Sequence, residues 1–340
     1  MQLRRFGDTE LTLSELCFGT MRFAAKQPGQ DAQSQRGMRA LEMALEQGVN
    51  VVHSSEEYGT RWAVGEVLAR HPQRHDVRHV IKVNEPDWGQ RVFNKRAFRQ
   101  KIEGALKELG AERIDVVQHL QRGEVDPALG YDARGEPPRL ADLPLVLEPL
   151  QEVFDELRDE GLVSYLTTFP YTVGYAKAAI DSGAFEGVVA YFDLLETEML
   201  DLFPDMRQRG MGFIGIRPLL AGLLTDPRID REGLPQDDPK REPLWDRAYD
   251  HLSEVRGLLA EEQGLQIGSW TDFALRFSLC DPLIATTVVS INDPDRLAEA
   301  IRAVEGPKPD PALAHRVHEI TTRYRREFGV KAGSGGVPSY

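Results

Sequence analysis

The chain has 340 residues, 41% of them hydrophobic, and a formal net charge of −13 at pH 7. Nucleic acids and anionic membranes bind to basic surfaces, so this balance argues against both as partners. The chain has no run of about 18 apolar residues and no apolar leader segment at its start, which predicts a cytoplasmic protein. Cys17 and Cys280 are too few for a disulfide framework and too far apart for a zinc site. We expect two reduced, buried thiols and no metal.

The order of the predicted elements indicates the fold. Residues 2–6 and 11–16 alternate apolar and polar side chains around residues 7–10, which predicts a β-hairpin. Eight strand-like runs follow, each but the first after a segment with helical spacing. They are residues 16–19, 49–52, 77–83, 114–118, 163–168, 187–191, 212–216 and 283–289. This alternation predicts an α/β protein, a (β/α)₈ TIM barrel, with residues 1–328 as one domain and residues 329–340 as a flexible tail.

In such a barrel the active site lies where strands end and the following loops begin. Two of these loops are unusually long, residues 122–144 and residues 226–245. Loops of this length in a compact domain are usually functional or disordered. We expect them to cover the barrel opening and shape a substrate site. Asn84 and Trp88 after the third strand, with Tyr131 in the first long loop, are candidate substrate residues.

Several short motifs resemble those of the aldo-keto reductases. Residues 53–59, His-Ser-Ser-Glu-Glu-Tyr-Gly, resemble the family's Asp-small-small-x-x-Tyr-Gly signature at the end of the second strand. Further matches follow in order along nearly the whole chain: Gly19-Thr20-Met21, Ile81-Lys82, 114–118, Pro218-Leu219, 222–225 and 274–277. The resemblance implies hydride transfer between NADP(H) and a carbonyl. It also implies a tyrosine general acid, a lysine that lowers its pKa, an aspartate paired with the lysine, and a histidine that orients the carbonyl.

Tyr58 and Lys82 keep the family pattern. A phenol protonates a developing alkoxide efficiently only when a nearby cation lowers its pKa, so this pair suits the chemistry. His53 replaces the aspartate and should project into the barrel opening near Lys82. It cannot neutralise the lysine as a carboxylate would, so another acidic residue has to do so. The candidates for that charge are Glu56, Glu57 and Glu85.

The family's histidine position holds Leu120, and His119 lies one residue earlier. We include His119 among the candidate catalytic residues, with a packed structural histidine as the alternative. Side chains alternate along a strand, so the displacement points His119 out of the barrel unless a bulge intervenes. His53 can then supply the hydrogen bond that Leu120 cannot.

The cofactor positions depart further from the family. The carboxamide contacts become Phe169-Pro170 and Val189, and the aromatic residue that stacks on the nicotinamide becomes Ile216. Three lost hydrogen bonds would cost roughly 1.5–4.5 kcal/mol of affinity. Residues near the phosphates still carry suitable groups, beside a helix N-terminus that favours anions. The candidate cofactor residues are Gly19, Thr20, Met21, Arg217, Pro218, Leu219, Ser290, Asn292 and Arg296.

Three functions are consistent with these residues. The first is an NADP(H)-dependent carbonyl reductase in which Tyr58 is the general acid and Lys82 tunes its pKa. The second is a lyase or isomerase that keeps the acid–base groups without hydride chemistry. The third is a catalytically silent protein that binds a metabolite or a protein partner. We predict the first, acting on a small-molecule carbonyl or polar metabolite, and leave the oligomeric state open.

Overall fold

The computed structural model describes residues 1–29, 31–87, 90–121, 136–170 and 172–328. Their strands are β1 (Leu3–Arg5), β2 (Thr12–Ser14), β3 (Leu16–Gly19), β4 (Val51–Ser55), β5 (Arg78–Asn84), β6 (Ile114–Leu120), β7 (Val163–Thr168), β8 (Gly187–Tyr191), β9 (Gly212–Ile216) and β10 (Ile284–Ser290). Their α-helices are α1 (Ala32–Glu46), α2 (Arg61–Arg70), α3 (Lys95–Leu109), α4 (Glu136–Asp159), α5 (Val173–Ser182), α6 (Phe203–Gln208), α7 (Asp246–Glu261), α8 (Trp270–Phe277), α9 (Pro294–Glu305) and α10 (Pro311–Phe328).

Strands β3 to β10 form a closed barrel in which neighbouring strands are parallel and follow one another in chain order. Strands β1 and β2 pair antiparallel as a separate hairpin. Both the predicted (β/α)₈ barrel and the predicted hairpin are therefore confirmed. The ends of β4 and β6 lie further along the chain than predicted, at Ser55 and Leu120, because the polar residues after each apolar run continue the strand.

An apolar cluster fills the N-terminal end of the barrel interior. Val51, Val80 and Val116 pack together with Phe6, which the hairpin inserts into the same cluster. A Cβ atom added at Gly212 would lie 2.4 Å from the Phe6 ring, so this position has room only for glycine. The Phe6 ring closes the N-terminal end of the barrel. The polar strand ends lie at the opposite end, where a barrel of this type has its active site.

Of the two predicted long loops, residues 226–245 agree with the structure, whereas the last part of residues 122–144 does not. The first was predicted to extend to residue 144, but α4 begins at Glu136, so that part of the prediction is wrong. Pro137 and Pro138 look like loop residues in the sequence, yet proline suits the first turn of a helix, whose N–H groups have no helical partner. Residues 122–135 and the predicted tail lie outside the described residues. Residues 226–245 form an irregular loop, as predicted. The loop contains short 3₁₀ turns.

The two cysteines agree with the prediction made for them. Cys17 and Cys280 are both free and buried, as expected. Within the described ranges we find no helix with both the length and the apolar character needed to span a membrane. The same residues contain no cluster of three or more potential metal ligands.

Candidate active site

Strand β4 carries the family signature to the open end of the barrel. Val51 packs in the barrel interior, and side chains alternate along the strand, so His53 and Ser55 face the same interior. Both are buried. The 3₁₀ turn Glu56–Tyr58 follows directly and ends at Gly59, whose φ is 64°. Glycine adopts this left-handed conformation at little cost, and it turns the chain into α2 with the tyrosine close to the strand end.

Lys82 and Tyr58 are neighbours in the structure. Lys82 Nζ lies 5.0 Å from the centroid of the Tyr58 ring and 2.9 Å from Glu57 Oε2. The Lys82 side chain is only 14% exposed, so the ammonium is poorly hydrated and the carboxylate compensates for the lost water. Glu57 therefore supplies the negative charge that position 53 lacks. Glu85, another candidate, instead pairs with Lys101 at 3.0 Å.

His53 completes this group but faces a partner that the sequence analysis did not single out. Its Nε2 lies 2.7 Å from Gln118 Oε1, and its ring centroid lies 6.3 Å from that of Tyr58. Burial lowers the pKa of His53 to about 4; the bond to Gln118 opposes this shift, whereas the charges of Lys82 and Arg61 add to it. The imidazole is therefore neutral near pH 7. An amide oxygen only accepts, so Nε2 donates to it and is not available to a substrate.

The structure does not bring His119 to this group. Pairing between β5 and β6 is continuous from Val116 to Leu120, so no bulge changes the alternation. His119 therefore points out of the barrel, where its ring packs 6.2 Å from that of Phe93 and its Nε2 lies 2.7 Å from the backbone oxygen of Glu85. Its inclusion among the catalytic candidates is corrected accordingly, and the packed histidine is the arrangement found.

Of the three candidate substrate residues, the structure describes one. Asn84 ends β5 and is buried, and its Nδ2 donates to Asp87 Oδ1 at 2.7 Å. Its amide nitrogen thus helps to hold the loop that follows the strand. Trp88 and Tyr131 lie outside the described residues, and their roles stay predictions.

The nicotinamide positions form an apolar wall beside an aromatic ring. Val189 is fully buried in the barrel interior, and Phe169 packs edge to face against Tyr191, with centroids 5.3 Å apart. The Arg217 guanidinium lies 4.0 Å from the centroid of the same Tyr191 ring. Phe169 and Val189 have no hydrogen-bonding group in their side chains. Tyr191 was missed because the family pattern looks for the aromatic residue on the next strand, where this chain has Ile216.

Arg217 starts the loop after β9 with a φ of 63° and is part of a buried charge cluster. Its Nε donates to Glu196 Oε2 at 3.2 Å, and Glu196 is fully buried. Burial disfavours the guanidinium charge, but Glu196, Tyr191 and Asp193 together raise the pKa of Arg217. Burial, and then the Glu196 charge, raise the pKa of Asp193 well above its ordinary value. Within this cluster Arg217 and Glu196 form an ion pair.

The remaining cofactor candidates lie near the ends of β3, β9 and β10. A Cβ atom at Gly19 would lie 2.8 Å from Ser290 Oγ, so the chain passes close to that hydroxyl. Thr20 is buried and its Oγ1 donates to a backbone carbonyl of β4 at 3.1 Å. Asn292 Nδ2 donates to the backbone oxygen of Arg22 at 3.3 Å. The others are Met21, Pro218, Leu219 and Arg296.

Lys240 is a residue that the sequence analysis missed. It lies in the loop of residues 226–245, is 5% exposed, and its ammonium lies 3.1 Å from the centroid of the Trp245 ring. Its pKa is lowered to about 7, chiefly by burial, while Asp238 opposes the shift. The positive charges that add to the shift are those of Arg228, Arg217 and Arg22. Arg217 and Arg228 are themselves paired with the carboxylates of Glu196 and Asp238. The sequence shows no basic run because Arg217, Arg228 and Lys240 are spaced along the segment between β9 and α7, and Arg22 follows β3.

The sequence matches a known protein family and named relatives. The model of the aldo/keto reductase family matches residues 15–316. The chain is similar to the uncharacterized oxidoreductase YrpG of Bacillus subtilis (strain 168), with 23% identity over 327 residues that cover 90% of this chain and 91% of YrpG. It is also similar to L-galactose dehydrogenase of Arabidopsis thaliana, with 22% identity over 315 residues, 89% of this chain and 88% of that enzyme.

Solved structures show the same fold. Aldo-keto reductase AKR11C1 from Bacillus halodurans aligns with a TM-score of 0.70 and 21% identity, over 94% of this chain and 96% of that one. Glycerol dehydrogenase AKR11B4 from Gluconobacter oxydans aligns with a TM-score of 0.65 and 19% identity, over 94% and 95% of the two chains. The family match includes all eight barrel strands and every described residue of the site. The chain therefore belongs to the aldo/keto reductase family of oxidoreductases.

Proposed function

We propose that this protein reduces a carbonyl compound to an alcohol with NADP(H), and that Tyr58 is the general acid. The observation that carries the proposal is the grouping of the Tyr58 ring, the Lys82 ammonium and the Glu57 carboxylate at the open end of the barrel. Two relatives are named as dehydrogenases of L-galactose and of glycerol, which are both small polyhydroxylated molecules. We therefore expect a small polar carbonyl substrate.

Each of the three residues has a defined task in this proposal. When bound, the dinucleotide would supply the hydride to the carbonyl carbon. Tyr58 gives its phenolic proton to the carbonyl oxygen, and the Lys82 ammonium stabilises the phenolate that remains. Glu57 holds the ammonium beside the ring and offsets the cost of keeping a charge in a poorly hydrated site. A proton taken up from solvent then restores the phenol.

The residues present fit the phosphate end of a dinucleotide. Lys240 and Arg22 provide positive charge, and Ser290, close to Gly19 at the end of β10, adds a hydroxyl group. The carboxamide positions add no side-chain hydrogen bond. We therefore expect the phosphates to contribute most of the binding energy and the Tyr191 ring to lie near the nicotinamide.

The proposal is tested by binding and turnover. NADPH and NADH should each be titrated while cofactor fluorescence is followed, and reduction of p-nitrobenzaldehyde and glyceraldehyde should be assayed with both. We expect saturable binding with a Kd below about 100 µM for at least one cofactor, and turnover of at least one aldehyde. An absence of binding at millimolar concentrations of both cofactors would contradict the proposal.

Lys240 should make dinucleotide binding depend on pH. Its pKa of about 7 means that the amine is charged at lower pH and neutral at higher pH. A phosphate favours the ammonium, so above pH 7 binding must include uptake of a proton. We expect the affinity for NADH, whose diphosphate does not titrate in this range, to fall about tenfold from pH 6 to pH 8.

The groups facing Lys240 do not change charge over this range. Three of them are arginines, a residue type that keeps its charge in proteins, and the pKa of Asp238 is lowered from an already acidic value. Lys240→Gln should therefore weaken NADH binding at pH 6 and remove the pH dependence. Lys177→Gln, at a lysine 57% exposed on α5, is the matched control. Equal pH dependence in wild type and Lys240→Gln would rule out this role.

Replacing Glu57 tests its pairing with Lys82. Glu57→Gln keeps the shape of the side chain but removes the charge, which leaves the ammonium uncompensated. A charge-assisted hydrogen bond contributes about 1.5–3 kcal/mol, so kcat/KM should fall about 10- to 100-fold. Glu56→Gln, one residue earlier in the same turn and exposed, should change kcat/KM less than about twofold. Similar losses in both variants would show that the turn, rather than the ion pair, is responsible.

A second candidate function is favoured by the apolar nicotinamide positions. Val189 and Phe169 pack into the barrel and against Tyr191, so no amide or hydroxyl group there selects a nicotinamide face. A barrel that retains Tyr58 and Lys82 could instead move protons as a lyase or isomerase. Saturable NADPH binding displaced by NADP⁺ supports the reductase, whereas the lyase or isomerase requires no dinucleotide.

A further inference from the structure

Two buried polar atoms on the inner face of the barrel have no hydrogen-bond partner among the described residues. They are Ser55 Oγ and Gln118 Nε2. Their strands flank β5, and the register pairs Ser55 with Lys82 and Lys82 with Gln118. Residues paired in register face the same side of a parallel sheet, so both atoms lie beside the lysine within the barrel. Buried donors without a partner are rare in proteins and are often part of a functional site.

The amide oxygen of Gln118 faces His53. Its Oε1 accepts from His53 Nε2 at 2.7 Å, which turns the amide so that Nε2 and its two hydrogens point elsewhere. Neutral His53 donates through this nitrogen whenever the amide oxygen faces it. The barrel thus contains a donor that is oriented and buried before any ligand binds, which is the arrangement that stabilises developing negative charge most effectively.

We propose that Gln118 Nε2 donates a hydrogen bond to the carbonyl oxygen of the substrate, with His53 as the residue that positions it. This inference rests on the proposed reductase function and deepens it. Position 120, which carries the orienting histidine in the family resemblance, is an apolar leucine here. Gln118 lies on the same inner face of β6, two residues earlier and in register with Lys82. No bond forms or breaks at Gln118, and the proton still comes from Tyr58.

Gln118 is a better candidate than Ser55 for this contact. An amide nitrogen can only donate, so it binds a carbonyl oxygen but cannot accept a hydrogen bond from a hydroxyl group. The Ser55 hydroxyl both donates and accepts and therefore makes no such distinction. The amide is also anchored through its oxygen, so the donor is directed at little cost when the substrate enters. The expected consequence is a hydrogen bond that strengthens as the oxygen gains negative charge.

Two variants test the assignment. Gln118→Met removes the amide, and Gln118→Glu keeps an oxygen for His53 but removes the N–H donors. Loss of one such donor typically lowers kcat about 10²-fold, and we expect this for p-methoxybenzaldehyde in both variants, with NADPH affinity within about twofold of wild type. A hydrogen bond matters most for an electron-rich carbonyl, so the loss for p-nitrobenzaldehyde should be only about tenfold.

The control is Thr168→Val, which removes an equally unpartnered buried hydroxyl from the outer face of β7 and should leave both rates unchanged. If Gln118→Met does not fold, as judged by circular dichroism, the comparison is made with Gln118→Glu. Wild-type rates in the folded variant, or equal losses for the two aldehydes, overturn the assignment while the reductase function stands. A wild-type protein that binds no dinucleotide and reduces no aldehyde overturns both.

Discussion

Tyr58→Phe should lower kcat for the reduction of p-nitrobenzaldehyde by about 10²–10⁴-fold, the usual contribution of a positioned general acid. The substitution removes only the hydroxyl group, so the ring stays beside the Lys82 ammonium and the 3₁₀ turn stays intact. Without a proton donor the alkoxide has to take its proton from water, which the site does not position. Cofactor affinity should stay within about twofold, because the substitution leaves Lys240 and Arg22 unchanged.

The matched control for this experiment is Tyr165→Phe. Tyr165 also belongs to the inner face, in register with Val116, and its ring packs 6.4 Å from that of Phe6 near the closed end of the barrel. Its hydroxyl lies outside the group around Lys82, so kcat should be unchanged. If Tyr58→Phe keeps more than about a tenth of the wild-type kcat, another group is the proton donor and the proposed mechanism is wrong.

The barrel was predictable from the sequence because its signals are local and repeated. Each strand is a short apolar run, and several preceding helices end at a glycine that adopts a left-handed conformation, as at Gly110 and Gly161. The start of α4 was predicted wrongly. Pro137 and Pro138 indicate a loop in the sequence, but a helix tolerates proline in its first turn. Errors of this kind move a boundary without changing the order of the elements.

The candidate site was only partly predictable. Tyr58, Lys82 and His53 were identified by comparing the chain with the family pattern. Strand alternation then pointed His119 outward. Glu57 was one of three acidic candidates, and only the path of the turn decides among them. Alternation cannot show that an inward residue such as Gln118 lacks a partner.

Lys240 shows the other limit of sequence patterns. Its neighbours in the chain are Pro239 and Arg241, which indicate an exposed loop, yet the side chain is buried against Trp245. Among the charges that shift its pKa, Arg22 comes from the loop after β3, and Arg217 lies 23 residues before Lys240 in the same segment between β9 and α7. Contacts between residues so far apart in sequence follow from the closure of the barrel, which places successive loops around one opening.

Arg217→Met should lower the free energy of unfolding by about 3–5 kcal/mol near pH 8, the usual cost of removing one partner from a buried ion pair. The substitution leaves Glu196, which is fully buried, without the guanidinium that compensates its charge. The neighbouring Asp193 is an acid and cannot supply a positive charge. The value would be measured by urea denaturation followed by tryptophan fluorescence, with the slope compared between variants to exclude a change in the unfolded state.

The loss should depend on pH in a direction set by Glu196. Without Arg217, burial raises the pKa of Glu196 in the folded variant above its unfolded value of about 4.3, so the folded state binds the extra proton. Its stability therefore falls as pH rises above the unfolded pKa, and the difference from wild type should be smaller near pH 5 than near pH 8. The double variant Arg217→Met/Glu196→Gln removes both charges and should regain most of the loss. A single variant within about 1 kcal/mol of wild type at both pH values would mean that water reaches the cluster and solvates the carboxylate.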